Sequence, residues 1–264
     1  MPGDEGLTSS RLELLASPGM RVLVTGANGK AGRATVRALR DRVADVRVVT
    51  GRLPDPGPAW DGVDAAFVLS GFADPETAVL AEKAGVRRVA LLWAGYWGPV
   101  EEAFADTDLE WTSLQPASFL GNTTVWADAV RERGEIAEPF VDVAETMVHE
   151  ADVGAVAAAA LLEDGHAGKT YELTGREPVS VRDRVEALSR ALGRPLHLVE
   201  LSEAAARRRW RAEGYDAALV DALVGWQQRP VAEATRVSPD VERVLGRPPL
   251  TLADWIPEHL HAFR

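Results

Sequence analysis

The sequence predicts an α/β fold: a doubly wound parallel sheet, shortened after its second strand, with a smaller, mostly helical C-terminal lobe. Three observations predict it. Short apolar, β-branched runs alternate with helical spacings through the first half of the chain, as a parallel sheet with crossover helices requires. The first of these runs leads straight into a glycine-rich turn. From Ser202 onward the spacing is helical almost to the end.

Residues 1–19 read as an N-terminal extension, in which Ser10–Ala16 has short amphipathic spacing and Pro18-Gly19 breaks the chain. Met20–Thr25 (MRVLVT) is the first strand, apolar throughout because a central parallel strand is covered on both faces. Val36, Leu39 and Val43 then recur at helical spacing. Asp45–Thr50, Asp64–Ser70, Arg88–Ala94 and Leu109–Leu114 are the next strands, with a helix over Pro75–Gly85. In the second half, Asp152 is placed to cap a helix running to about Glu163, and a strand covers TYELT (170–174). Ser180–Leu192 is a helix closed by Gly193, and Leu196–Leu201 is a strand. The expected organisation is an extension over 1–19, a first domain over 20–140 and a second lobe over 141–264, with the chain crossing back between them.

Composition narrows the function classes. The chain has 264 residues, 46% hydrophobic and 26% charged, with a net charge of −11. That is an ordinary globular composition, and its acidity disfavours nucleic acid as a partner. The absence of cysteine removes disulfides, cysteine-ligated zinc and thiol nucleophiles together. No apolar run reaches the ~18 residues of a membrane span, and MPGDEG lacks the basic start of a secretory signal. The expectation is a cytoplasmic protein without a membrane partner.

The turn Gly26-x-x-Gly29-x-x-Gly32 stands between strand and helix. Glycines at this spacing permit the tight turn, the approach of a pyrophosphate to backbone, and close helix–strand packing. The second strand ends Thr50-Gly51-Arg52, without the acid that would accept from a ribose 2′-hydroxyl. Arg52 therefore favours NADP(H) over NAD(H), with Lys30 and Arg33 as further phosphate partners. Gly51–Val63 carries Pro54, Pro56 and Pro58, which forbid a helix there. The adenine side is thus trimmed: the proline loop covers the adenine, or the dinucleotide binds weakly, or it is not bound.

The stretches VLVTGANGKAG, GVDAAFVLSG, LEWTSLQPASFLGN, HEADVGAVAAAALLEDGHAGKTYELTG and ALGRPLHLVEL resemble the NmrA-like, atypical short-chain dehydrogenase/reductase family. The similarity runs from about Met20 to the C-terminus and is strongest to NAD(P)-binding members of actinobacterial type. It implies a Rossmann-like domain, a smaller C-terminal lobe and a substrate cleft between them. Family members include NAD(P)H-dependent reductases of quinones and other aromatics, and redox sensors that bind the dinucleotide without turnover. The resemblance implies that Gly26, Asn28, Gly29 and Gly32 hold the pyrophosphate and that Arg52 lies near the 2′-phosphate. It also implies that Ser70 and Gly71 line the ribose–nicotinamide path, and that Gln115, Pro116, Ala117 and Phe119 lie beside nicotinamide and substrate. Trp93 departs from the pattern, because relatives commonly place serine at that strand end.

The Tyr-x-x-x-Lys pair of short-chain dehydrogenases is absent. Tyr96, Tyr171 and Tyr215 are followed four residues later by Val100, Gly175 and Leu219. No Gly-x-Ser-x-Gly elbow occurs, and the five histidines have no metal-ligand spacing. What remains is an aromatic set on the loops after the fourth and fifth strands: Trp93, Tyr96, Trp97, Phe119 and Trp126. Such a set suits a planar aromatic or quinone-like ligand, and it equally suits packing between lobes. Tyr96 is the candidate acid. His149 is a second proton-exchange candidate if it faces the cleft, or else a hydrogen-bonded hinge. The arginine run 207–209 is a solvated helix face or an anion site.

Three functions follow as expectations. The first is an NADPH-dependent reductase of a planar aromatic or quinone-like small molecule. The second is a cofactor-independent cyclase or isomerase of natural-product biosynthesis on the same scaffold, and the third a non-catalytic NADP(H) sensor. No metal is expected, and a homodimer is common for such folds.

Overall fold

The computed structural model describes residues 17–40, 42–50, 59–228 and 232–264. The chain opens with β1 (Ser17–Thr25), α1 (Lys30–Leu39), β2 (Val43–Val49), β3 (Ala65–Leu69), α2 (Glu76–Lys83), β4 (Arg88–Leu92), α3 (Pro99–Ala105) and β5 (Glu110–Pro116). It continues through β6 (Ser118–Phe119), α4 (Ala127–Arg133), β7 (Glu135–Pro139), β8 (Ala144–Val148), α5 (Glu150–Leu162), β9 (Thr170–Leu173) and β10 (Pro178–Ser180). The end is formed by α6 (Val181–Leu192), β11 (His197–Leu201), α7 (Glu203–Ala212), α8 (Ala217–Gln228), α9 (Ala232–Thr235), α10 (Asp240–Leu245) and α11 (Leu252–His259). Among the described residues no helix is long and apolar enough to cross a membrane.

The chain divides into two compact units: 1–115 with 153–171, and 116–152 with 172–264. The first unit therefore ends at Gln115, before residue 140, and takes back 153–171, because that return brings β9 to the main sheet. That sheet has six strands in the order β2-β1-β3-β4-β5-β9. The pairings β1–β2, β1–β3, β3–β4 and β4–β5 are all parallel. This is the doubly wound α/β sheet expected of the sequence. β2 is its edge among the described residues; the proline loop and Arg52 lie outside them.

Local sequence explains most elements and two corrections. Pro18-Gly19, expected to break the chain, lies inside β1, where the register to β2 shifts between Ser17 and Arg21. A bulge tolerates the missing proline N–H, and β3 pairs only from Val22 onward. Val43, expected on the α1 face, instead pairs opposite Ser17 as the first residue of β2. Helix α6 is capped as its sequence indicates. Ser180 accepts from the Asp183 N–H while Asp183 accepts from the Ser180 N–H, and Gly193 closes the helix at φ +67°.

In the first unit β3 and β4 are almost wholly buried, and Leu23, Val68, Leu91 and Phe104 lie in a common core with Trp60. Gly154 lets α5 lie on α1: a Cβ there would stand 2.4 Å from the Ala34 carbonyl carbon. The second unit holds a three-stranded sheet, β10-β8-β6, and a pair, β11-β7. Its main core contains Leu120, Trp126, Ile136, Met147, Leu188, Trp255 and Phe263. Asp152 is not an N-cap: its N–H bonds to the His149 carbonyl, so α5 begins at Glu150.

Candidate functional site

The carboxyl ends of the parallel strands in the first unit gather the sequence-predicted residues most clearly. Gly26 follows β1 at φ +60°, and its carbonyl accepts the Gly29 N–H at 2.8 Å. A Cβ on Gly32 would lie 2.2 Å from the Gly26 oxygen, and one on Gly26 would lie 2.8 Å from Leu69 Cδ2. The turn is therefore closed by backbone against backbone at Gly32, while at Gly26 the positive φ and the Leu69 side chain disfavour any larger residue. Gly29 is the N-cap of α1 and supplies no side chain to its first turn, which also holds no acid. The first amides of a helix have no partner inside it and carry the positive end of its dipole. Asn28, Gly29 and Lys30 are exposed beside them. These residues fit a dinucleotide pyrophosphate.

The neighbouring strand ends continue the edge. Thr25 Oγ1 accepts the Leu69 N–H at 2.9 Å, tying β3 to β1 just before Ser70 and Gly71. Ser70 is buried, and its Oγ has no hydrogen-bond partner. Gly71 is exposed, and a Cβ on it would stand 3.2 Å from that of Ala94. The Trp93 N–H donates to the Leu114 carbonyl at 2.9 Å, so β4 is held to β5 one residue beyond its own end. The Trp93 ring is half-buried, yet its indole Nε1 is fully buried and has no partner. Gln115, half-buried, follows on β5. Beyond β4, Tyr96 is 64% exposed and Trp97 54%, the latter 6.3 Å from the Trp111 ring centre.

Pro116, Phe119, Trp126 and His149 belong to the second unit. Pro116 and Phe119 are half-buried. Trp126 is buried: its indole N–H donates to Glu138 at 2.8 Å, and the Arg184 guanidinium covers its face at 4.6 Å. Its ring is engaged from both ends in packing. Arg207 pairs with Glu203 and Asp221, and Arg209 with Glu138 and the Ala137 carbonyl. Both side chains are therefore committed inside the protein, which favours a structural role for the arginine run.

His149 is 2% exposed. Its Nδ1 accepts the Ala151 N–H at 3.1 Å, which places the proton on Nε2. Nε2 has no hydrogen bond, and Glu258 Oε1 is 3.9 Å away. Burial pushes its pKa below the ordinary histidine value, while Glu150, Glu258 and Asp152 pull it back and His259 adds to the lowering. The imidazole is thus held neutral near pH 7. Beside it Glu150 Oε1 accepts the Gly121 N–H at 2.6 Å, and His259 stacks on Trp255 at 4.1 Å.

Three features escaped sequence reasoning. Asp152, fully buried, accepts the Leu250 N–H at 2.7 Å, with an Arg247 guanidinium nitrogen 2.7 Å from its other oxygen but not aimed along the contact. A second acid after Glu150, in an α5 that is apolar from Val153 onward, was its signal. Gly154 was legible only as a glycine inside a helix. The unpartnered indole nitrogen of Trp93 had no sequence signal.

No protein-family model matches the chain. A (4-alkanoyl-5-oxo-2,5-dihydrofuran-3-yl)methyl phosphate reductase of Streptomyces griseus is 34% identical over 280 aligned positions, covering 92% of this chain and 99% of the relative. An NAD(P)H azoreductase of Xenophilus azovorans is 27% identical, with the same coverage. Among solved structures, an NADPH-dependent quinone oxidoreductase of Escherichia coli complexed with NADPH superposes with a TM-score of 0.71 at 23% identity, over 90% of this chain and 99% of the other. A Citrobacter triphenylmethane reductase complexed with NADP(H) gives 0.71 at 19% identity, with the same coverage. At these identities the structures show the shared fold.

Proposed function

The chain belongs to the NmrA-like, atypical short-chain dehydrogenase/reductase family of NAD(P)-binding Rossmann proteins, and from that premise we propose that it is an NADPH-dependent reductase of a conjugated, electron-poor small molecule, planar and quinone-like in shape. The observation that carries the reading is the Gly26–Gly32 turn, sealed by backbone contact and opening onto the uncapped N-terminus of α1. Bound there, the dinucleotide supplies hydride. Gly26, Asn28, Gly29 and Gly32 hold its pyrophosphate, with Lys30, Arg33 and Arg52 available to a 2′-phosphate. Ser70, Gly71 and Gln115 lie along the same strand ends, and Trp93, Tyr96 and Trp97 offer aromatic surface to the acceptor.

The acceptor class follows from what is missing. Without Tyr-x-x-x-Lys, the chain lacks the lysine-tuned tyrosine that would protonate an isolated carbonyl in step with hydride transfer. The relatives named above are reductases of a conjugated lactone, azo compounds, quinones and triphenylmethanes. All such acceptors delocalise the incoming electron pair, so proton delivery can follow from water. Tyr96 is exposed, and its hydroxyl has no hydrogen bond among the described residues to hold it in place. That suits a slow or dispensable acid.

The test is NADPH oxidation followed at 340 nm with a quinone, an azo dye, a triphenylmethane dye and a conjugated lactone, alongside calorimetric NADPH binding. Turnover of at least one acceptor is expected. Absence of binding overturns the reading, and binding without turnover on any acceptor replaces it with that of a sensor.

A further inference from the structure

We propose that the indole N–H of Trp93 is the hydrogen-bond donor that receives the carbonyl oxygen of the acceptor, which makes the substrate a conjugated carbonyl compound. This rests on the reductase reading and names the substrate class of the same site.

Three indole nitrogens in the described residues are buried without a partner: those of Trp60, Trp93 and Trp255. Trp60 and Trp255 are core residues, 4% and 0% exposed, each inside a hydrophobic cluster. Their orphaned donors accompany packing. Trp93 differs in each respect. It belongs to neither cluster, its ring is partly exposed, and it stands at the carboxyl end of a central strand, where open α/β sheets bind their ligands. The backbone beneath it is fixed by its bond to the Leu114 carbonyl. The adjacent strand end repeats the feature. Leu69 pairs opposite Leu92, and the residues that directly follow them, Ser70 and Trp93, both carry a buried polar atom without a partner. Buried polar groups are nearly always satisfied, and each exception calls for an explanation such as a ligand. The Trp93 nitrogen has no hydrogen-bond partner in the protein, so an oxygen brought to it would gain a bond without competing for one already made.

The chemistry of indole sets the role. It is a donor only and does not titrate near neutrality. It can stabilise a developing oxyanion but cannot deliver the proton. Hydride forms a new C–H bond at the carbon conjugated with the carbonyl, the C=C pair shifts toward the carbonyl carbon, and the C=O π pair moves onto oxygen. NADPH is oxidised to NADP⁺, the acceptor gains two electrons, and a proton from water completes the product. Charge arises on oxygen during the step, and a fixed donor aimed at it acts there. A chain with this donor and no Tyr-x-x-x-Lys is matched to conjugated carbonyls.

The test uses the whole chain with ¹⁵N-indole-labelled tryptophan and NADP⁺, and two flat probes of similar outline: 2-methyl-1,4-naphthoquinone and 2-methylnaphthalene, which lacks both oxygens. The Trp93 Nε1–H resonance, assigned by triple resonance, should move downfield with the quinone and not with the hydrocarbon. No movement up to the solubility limit, or equal movement with both, overturns the proposal. In turnover, Trp93→Phe keeps an aromatic ring and removes the donor. The ratio of kcat/KM for the quinone to that for a triphenylmethane cation, which has no carbonyl, should fall on the order of 100-fold. Equal losses on both acceptors assign Trp93 to packing and overturn it. Wild-type inactivity on every acceptor sinks the reductase reading, while the resonance still decides whether the indole binds a carbonyl.

Discussion

Gly32 lies so close to Gly26 that a Cβ on the former would stand 2.2 Å from the carbonyl oxygen of the latter. The contact closes the β1–α1 turn directly before the first turn of α1, which has no side-chain cap. Gly29, between them, is less constrained: its φ is −79°, and a Cβ would meet only the Gly26 oxygen, at 3.2 Å. The two positions therefore separate folding from binding. Gly29→Asp places a good N-cap residue on the helix and a negative charge where a pyrophosphate would lie. Like charges ~4 Å apart repel by about 4 kcal/mol at an effective dielectric near 20, and exposure reduces that. The expected result is a melting temperature within about 2 °C of wild type, with NADPH affinity weakened roughly 30- to 100-fold by calorimetry. Unchanged affinity would show that the turn holds no phosphate.

Gly32→Ala should instead damage the fold, because the obstruction is backbone on both sides. We expect a loss of about 1–3 kcal/mol, as for overpacking in a close-packed interior, visible as a lower urea midpoint without ligand. A midpoint equal to wild type would mean that the turn relaxes freely.

Gly154→Ala addresses the α1–α5 contact, where the added carbon meets the Ala34 carbonyl carbon at 2.4 Å and the Thr35 nitrogen at 2.7 Å. Alanine is the better helix former by ~1 kcal/mol. A net gain in thermal stability would show that the helices part without penalty; the expected outcome is a net loss of about 1–2 kcal/mol, since backbone cannot move aside as a side chain does.

Asp152 is a buried acid that holds the Leu250 amide and faces Arg247. Asp152→Ala leaves that amide unpaired and should destabilise by about 2–4 kcal/mol, a range reduced for the partly exposed Arg247. Asp152→Asn keeps the acceptor for Leu250 and should cost about half as much. Equal losses for the two variants would assign the effect to charge rather than to the amide.

His149 and His166 have pKa values below the ordinary histidine value, in both cases chiefly because burial disfavours the cation. The unfolded chain therefore binds more protons than the folded one between the depressed and the ordinary values. Stability is fully present above about pH 6.5 and falls as the pH drops below it, until the folded-state pKa is reached. His149→Gln should flatten the slope of melting temperature against pH between about 5 and 7, leaving the His166 share. An unchanged slope would show that Glu150, Asp152 and Glu258, which favour its cation, cancel the effect of burial.

The alternation of strands and helices, the glycine turn and the Ser180 and Gly193 caps could be read from residues because their causes lie within a few positions along the chain. A hydrogen bond from Asp183 to Ser180, or a left-handed glycine after a helix, requires no distant partner. The missing Tyr-x-x-x-Lys pair was equally legible, as a spacing. What the tertiary structure decided depends on atoms remote in sequence. Val43 joins β2 because Ser17 stands opposite it. Trp126 is a packing residue because Glu138 and Arg184 claim its nitrogen and its face. Residues 153–171 return to the first unit because β9 extends its sheet. The vacant donor of Trp93 belongs to the same class. A residue's type sets how many hydrogen bonds it can make, and only the packed fold determines which of them are left for a ligand.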